Sequence, residues 1–539
     1  MTTHEVFNQV PPLVDYNPAD YPALLDALAL ADATDGVSEL QAIGAIAGSA
    51  ETQQLGDLAE AHPPVLKTHD RYGNRIDEVV YDPSYHQLMR HAIGFGMHGT
   101  PWSETRPHAH LIRGAKMQIW GQADPGHLCP ISMTYAVIPA LRTTPELAAL
   151  YEPGLTSTEY DFGLRAPLSK KGLIAGMSMT EKQGGSDVRA NTTTAVRQSD
   201  GTYLITGHKW FTSAPMSDLF LTLAQTSAGV TCFLVPRVLP DGSRNPFALQ
   251  RLKDKLGNRS NASSEVEYSG TVGFLVGEEG RGVRTIIEMV NMTRLDCTLA
   301  TGTLMRVGVQ QAVHHATHRK AFGDYLIDQP LMRNVLADLA VEAEGATLVG
   351  LWLAHLTDLT DGRSQALRRI GLAVSKYHVC KRGPVHAAEA LECLGGNGYV
   401  EESRMPRLYR EAPLLSIWEG SGNVAALDML RALAKQPETL EVFFDEIAQA
   451  NDPRVTAALA ELKDQFGDFE TMQYRARTVV GQMAQLLQAS LLARYGNPAV
   501  FEAYSRSRLG REHGDVFGTL PVGIDTSTII DRATAKAAS

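Results

Sequence analysis

Cysteine is scarce in this chain. Cys129, Cys232, Cys297, Cys380 and Cys393 are the only five in 539 residues, an odd number with no C-x-x-C pair among them. That argues against a disulfide-framed secreted scaffold and for reduced thiols in a cytoplasmic setting. No uninterrupted apolar run reaches the roughly 18 residues that cross a bilayer. The N-terminal MTTHEVFNQVPP has neither a basic nor an apolar stretch, so no membrane span and no secretory signal are expected. Positive charge is in deficit too. With 49 Lys plus Arg against 60 Asp plus Glu, the formal net charge is −11, which gives no global attraction to nucleic acid or anionic membranes. H-E-x-x-H, G-x-S-x-G and Walker motifs are also missing, leaving no visible metal site and no nucleophilic triad.

What is present is an ordinary globular composition, 44% apolar and 20% charged, long enough for two to four domains. Residues 1–40 carry Pro11, Pro12, Pro18 and Pro22 with little periodicity and read as an extended arm. Residues 41–172 read as a helical domain broken at His62-Pro63-Pro64, Asp82-Pro83 and Thr100-Pro101. From 173 to 282 the character changes. Thr202 to Thr206, Leu219 to Gln225 and Thr231 to Pro236 are short Val-, Leu-, Phe- and Thr-rich runs separated by Gly and Ser, as in a small barrel or sandwich. Helical periodicity returns over 283–440, where Val335, Leu339, Ala346, Val349 and Leu353 form a stripe suited to a bundle. A further mostly helical segment spans 441–539, with an irregular tail after Gly518.

Two polar glycine-rich loops about 240 residues apart carry the chemistry. Met177 to Val188 reads MSMTEKQGGSDV, and Ile417 to Asn423 reads IWEGSGN. Each sets hydroxyls and bare amides beside a carboxylate, and glycine lets backbone approach a flat or phosphorylated ligand. Between them stand Gly207 to Ser213 (GHKWFTS), Arg319-Lys320-Ala321-Phe322-Gly323 with Gln329-Pro330, and Gly395 to Tyr399 (GGNGY). Turn chemistry explains any one of these, but not five in one order. His314 and His318 share a helix face but lack a third ligand, so a solvated or interface pair is the better reading than a metal site. Gly277 to Gly282 lacks Rossmann spacing and reads as a turn.

These motifs resemble the acyl-CoA dehydrogenase family of flavoproteins. The resemblance implies an α+β fold: an N-terminal helical domain, a middle β-barrel or sandwich, and a C-terminal helix bundle, here with an extra helical domain. It implies FAD as cofactor, contacted by Met177, Thr180, Ser186, Phe211, Thr212, Ser213, Arg319, Phe322, Gln329, Gly395, Gly396, Ile417, Trp418, Gly420, Ser421 and Asn423. Arg319 is implied to reach the pyrophosphate of a neighbouring subunit's FAD, a task that suits an always-charged planar fork. Glu392 stands where the family has Gln. Glu419 is implied to be the base that removes the proton α to a thioester carbonyl, work that needs a carboxylate in a water-poor pocket. The family's second base position falls at Thr293, which offers no carboxylate. Trp418 replaces the usual Tyr, and its bulkier indole is expected to narrow the acyl tunnel against long chains.

Further strings, Val6 to Gln9, Leu128 to Thr134, and Arg251 to Ser263 (RLKDKLGNRSNAS), resemble a branch of the family from the bacterial adaptive response to DNA alkylation. That branch implies a homotetramer, a dimer of dimers, which binds double-stranded DNA through its C-terminal domain and has weak dehydrogenase activity toward isovaleryl-CoA. Charge supports the DNA part less well: residues 440–539 hold ten Lys plus Arg against thirteen Asp plus Glu, a balance of −3. Arg475, Arg477, Arg506, Arg508 and Arg511 form the candidate patch, with Tyr504, Arg508 and Arg511 on one helix face. Two readings follow: a DNA-binding flavoprotein that guards against alkylating agents, or a catabolic acyl-CoA dehydrogenase passing electrons from a short or branched thioester to an electron-transfer flavoprotein.

Overall fold

The computed structural model describes residues 3–536. The chain divides into two compact units. One comprises Glu51–Ala109 and Ala123–Thr293, the other Met1–Ala50, His110–Gln122 and Arg294–Ser539. No helix of the described residues is long and apolar enough to cross a membrane, and all five cysteines are free and buried.

The first unit is built on β-structure. A hairpin of β1 (Val65–His69) and β2 (Arg75–Val80) lies inside the stretch read as helical. The sequence cue was Ile76, Val79 and Val80 just after the Tyr72-Gly73-Asn74 turn, too irregular in spacing to stand out from the surrounding helical periodicity. The main sheet has seven strands: β3 (Ala175–Ser178), β4 (Thr194–Arg197), β5 (Tyr203–Ser213), β6 (Leu219–Thr226), β7 (Gly229–Pro236), β8 (Phe247–Leu252) and β9 (Ser263–Val276). Its order is β3-β6-β4-β5-β9-β7, with β8 on β9, and β6 also pairs with β7. That last pairing closes a small barrel and removes two open edges. Leu219 to Ala224 are fully buried, and Tyr203 packs on Phe233 with ring centres 4.9 Å apart. Such burial on both faces explains why β6 reads as a continuous apolar run rather than an alternating one.

The second unit is helical. Its long elements are Pro330–Asp358, Gly362–Glu392 and the greater part of Gly282–His318. Pro330 opens the first at N1, where its missing N–H costs nothing, and Asp361 caps the second by accepting from the Ser364 amide. In the stripe expected on Pro330–Asp358, Leu339, Ala346, Val349 and Leu353 are buried and Val335 is half-buried. Met405–Ile417 and Gly422–Lys435 follow, then Glu438–Ala448, Pro453–Gln465 and Met472–Tyr495.

Both ends of the chain depart from expectation. The arm is extended only to about residue 17, since Pro22–Ala29 is helical. The tail read as irregular contains the helix Thr526–Ala533, whose Arg532 pairs with buried Glu344 at 2.9 Å and with Asp26 at 2.6 Å.

Candidate functional site

In the β unit, the first loop leaves β3 with Met177 buried and Thr180 half-buried, then exposes Lys182 to Asp187. Glu181 of this loop is fully buried. Its carboxylate takes the Lys209 ammonium at 3.0 Å and the amides of Thr192 and Thr193 at 2.7 and 3.1 Å. Burial alone would raise its pKa, but the Lys209 charge and those donors hold it down at about 2. The carboxylate of this loop is therefore a structural anchor. Lys209 also donates to the Leu223 carbonyl at 2.7 Å, which staples the loop to the barrel interior.

On β5 the pairing with β9 slips between Lys209 and Thr212, a bulge that turns both Trp210 and Phe211 away from the interior. Phe211 is 51% exposed. Lys253 holds its ammonium 3.3 Å from the Trp210 ring centre and 4.8 Å from that of Phe211. Thr212 points the other way: it is buried and its hydroxyl is committed to Ser178. The neighbouring Ser213 keeps a half-buried hydroxyl 3.1 Å from Ser263.

In the helical unit, Lys320–Ala321 pairs with Asp324–Tyr325 in a tight hairpin turned by Phe322 and Gly323, both at positive φ (55° and 97°). That is the mirror-image two-residue turn that suits the twist of paired strands. Phe322 at its tip is 99% exposed. Arg319 donates to the backbone carbonyl of Asn8 in the arm, while the Asn8 amide brackets Lys320 from both sides, at 2.8 Å and 3.0 Å. His314 and His318 are turned to the backbone carbonyls of Pro11 and His314, each at 2.8 Å. Gln329 precedes the helix Pro330–Asp358, and its carbonyl accepts from the Arg333 amide at 2.9 Å. Gly395 and Gly396 open a short 3₁₀ turn with exposed backbone, followed by exposed Tyr399.

The second loop joins Met405–Ile417 to Gly422–Lys435. Ile417 is exposed, Trp418 and Glu419 are half-buried, and Ser421 and Asn423 are exposed at the start of the next helix. Glu419 adopts a left-handed backbone with φ 57°, which costs a residue with a Cβ about 1–2 kcal/mol. Gly420 follows at φ 103°, and a Cβ there would lie 2.9 Å from Val424 Cγ1. Three groups missed by the sequence reading surround this turn. Arg294 Nε donates to the Glu419 carbonyl at 2.9 Å, and Lys376 Nζ to those of Gly420 and Ser416 at 2.5 and 3.3 Å. Asp428 bridges Arg294 at 2.7 Å and Arg369 at 2.9 Å. Burial would raise its pKa, but the two guanidiniums hold it below the usual carboxylate range. Burial raises the Cys297 thiol well above its ordinary value; the Lys376 charge opposes this, and that of Glu419 adds to it.

The proposed DNA-facing arginines are engaged with the protein itself. Arg475 folds back onto the Gln465 and Asp468 carbonyls, and Arg477 donates to the Tyr377 hydroxyl at 3.1 Å. Arg506 pairs with Glu512 at 2.7 Å and Arg511 with Glu461 at 3.2 Å. Arg508 is a correction: its side chain is 7% exposed and pairs with buried Asp338 and Glu342. A π-turn over Ser505–Leu509 breaks the helical face it was expected to share with Tyr504, itself buried, and Arg511.

Family profiles match in the order that these elements suggest. The "Adaptive response protein AidB N-terminal domain" covers residues 8–162, the "Acyl-CoA dehydrogenase, middle domain" 176–271, and the "Acyl-CoA dehydrogenase, C-terminal domain" 280–434. The AidB protein of Escherichia coli (strain K12) is 42% identical over 518 residues, 95% of each chain. This chain belongs to the acyl-CoA dehydrogenase family. Within the family it is AidB-like, an FAD-dependent oxidoreductase by type. Acyl-CoA dehydrogenase family member 11 of Caenorhabditis elegans is 31% identical over 74% of this chain and 67% of its own length. The crystal structure of Caenorhabditis elegans ACDH-11 in complex with C11-CoA superposes with a TM-score of 0.86 at 26% identity, covering 94% of this chain and 93% of that one.

The residues of this acyl-CoA dehydrogenase fit FAD on their own chemistry. Among the described residues, the amides of Gly185, Ser186 and Asp187 and the Ser186 hydroxyl donate to no protein group. They form a row of free donors of the kind that pyrimidine carbonyls and phosphate oxygens take up. Exposed Phe211 offers a flat apolar face nearby in sequence.

Proposed function

We propose that this protein oxidises an acyl-CoA thioester, with Glu419 as the base. FAD contacts would come in the β unit from the Met177–Ser186 loop, Phe211 and Ser213, and in the helical unit from Phe322, Gln329, Gly395, Gly396 and the backbone around Trp418, with Arg319 serving the FAD of a neighbouring subunit. When bound, FAD supplies an acceptor for the β-hydrogen as hydride. Glu419 removes the α-proton, leaving a double bond between the α and β carbons. The observation that carries this reading is the turn itself: a carboxylate placed on a left-handed residue whose own carbonyl and its neighbour's are fixed by two buried cations. The C11-CoA bound to the worm relative supports the thioester class. Anaerobic titration with short, branched and medium-chain acyl-CoAs tests it, since a substrate bleaches the flavin absorbance stoichiometrically. Glu419→Gln is expected to abolish bleaching while FAD stays bound. Bleaching of the variant at the normal rate moves the base elsewhere.

A second reading rests on the adaptive-response N-terminal domain match over residues 8–162. Here a homotetramer binds duplex DNA and removes alkylating agents near it, with Arg475, Arg477, Arg506 and Arg511 as the contacts and Arg508 excluded. A gel shift on duplex DNA at low salt is the check. Absence of any shift removes this role.

A further inference from the structure

Lys376 lies within the helix Gly362–Glu392 and is 1% exposed. A buried ammonium needs its donors satisfied, and two of its three go to the Gly420 carbonyl at 2.5 Å and the Ser416 carbonyl at 3.3 Å. Ser416 belongs to the last turn of Met405–Ile417, where carbonyls lack helical partners and the helix dipole is negative. Arg294 meets the carbonyl between these two, that of Glu419, at 2.9 Å. Three carbonyls in five residues are thus aimed at two cations from two different helices. Carbonyl directions fix the φ and ψ of the intervening residues, and the residue so fixed is Glu419 at φ 57°. A glutamate relaxes out of that conformation unless its surroundings overdetermine it. Arg294 is itself held by Asp428 and meets one of the three carbonyls, whereas Lys376 meets the other two.

We propose that Lys376 is the positioning residue for Glu419: its ammonium clamps the Ser416–Gly420 turn in the left-handed conformation that aims the carboxylate. This rests on the reading of Glu419 as base, and the test separates the two. Lys376→Met fills the same space without charge. In the FAD-loaded protein it is expected to speed hydrogen–deuterium exchange of the Trp418–Ser421 amides about tenfold, with peptides from Pro330–Asp358 unchanged. With a substrate acyl-CoA, kcat is expected to fall about 100-fold while KM stays within about twofold, since a misaimed base costs the chemical step and not binding. Lys376→Ala supplied with n-propylammonium is expected to recover both readouts, and with 1-propanol neither; it also serves as the measurement if the Met variant does not fold. Unchanged exchange at Trp418–Ser421 in a folded variant overturns the clamp. If exchange rises but the wild-type flavin is bleached by no thioester, the clamp stands and the base assignment falls.

Discussion

At the scale of single residues, Trp418 sets the sharpest expectation. It is half-buried beside Glu419, with extended backbone (ψ 148°) between the end of one helix and the left-handed turn. A pocket discriminates chain lengths by about 1–3 kcal/mol per methylene-sized change, so removing an indole relaxes selection substantially. Trp418→Ala is therefore expected to raise kcat/KM for a medium-chain over a branched short-chain acyl-CoA by about tenfold or more. An unchanged ratio across the panel means that the indole does not line the acyl path. The IWEGSGN string brought both Glu419 and Trp418 forward as candidates. Lys376, Arg294 and Asp428 were not legible as partners of the turn. They stand on three helices, and only their packing brings an ammonium and a guanidinium to one turn.

Elements show a different kind of gap between sequence and structure. The strand from Tyr203 was visible in the short run Thr202 to Thr206 that ends at Gly207, but the bulge at Trp210–Phe211 was not. It depends on register against β9, some 55 residues later. Thr212, which the family resemblance places at the cofactor, has its hydroxyl against Ser178. Glu181 likewise read as one polar residue of a loop, yet Lys209 and two amides make it the loop's interior anchor. Breaking such a buried pair from one side leaves an uncompensated charge and costs about 3–5 kcal/mol. Lys209→Met is expected to lower the unfolding midpoint accordingly and to weaken FAD retention, because the free amides of Gly185 to Asp187 hang from this anchor. Adding Glu181→Leu should restore only part of the stability, because the Thr192 and Thr193 amides then lose their acceptor. Full recovery in the double variant contradicts the anchoring role of those two amides. Flavin fluorescence and denaturant titration read the two effects separately.

Across the whole molecule, the C-terminal helices are tied to the bundle by buried charge rather than presented as a separate basic surface. Arg508 meets Asp338 and Glu342, Arg382 meets Glu342 at 3.1 Å, and half-buried His378 and buried His386 share the same neighbourhood. Burial, reinforced by the Arg382 and Arg508 charges and opposed by Glu342, pushes both histidines down to about 4. An unfolded histidine binds its proton near pH 6.5. Between about 4 and 6.5 the unfolded chain thus holds more protons than the fold, and stability falls as pH drops through that window. Above it the contribution is complete. Urea midpoints are expected to hold steady from pH 7 to 8 and decline from pH 6 to 4.5, with a shallower decline in His386→Gln. A flat profile shows that these imidazoles charge without cost.

The same ion pairs bound what the chain can do with nucleic acid. Each phosphate neutralised by a cation contributes a slope of about −0.9 in log affinity against log salt. Arg508 is withdrawn, and Arg506 and Arg511 must first leave Glu512 and Glu461. At most four arginines per chain remain from the expected patch, so the slope is expected to be no steeper than about −4 per chain. Arg477→Gln, at a side chain whose hydrogen bond and ring contact among the described residues both go to Tyr377, should flatten it by about one unit without altering stability. A slope much steeper than that, unaffected by Arg477→Gln, places the duplex on a surface other than the C-terminal helices.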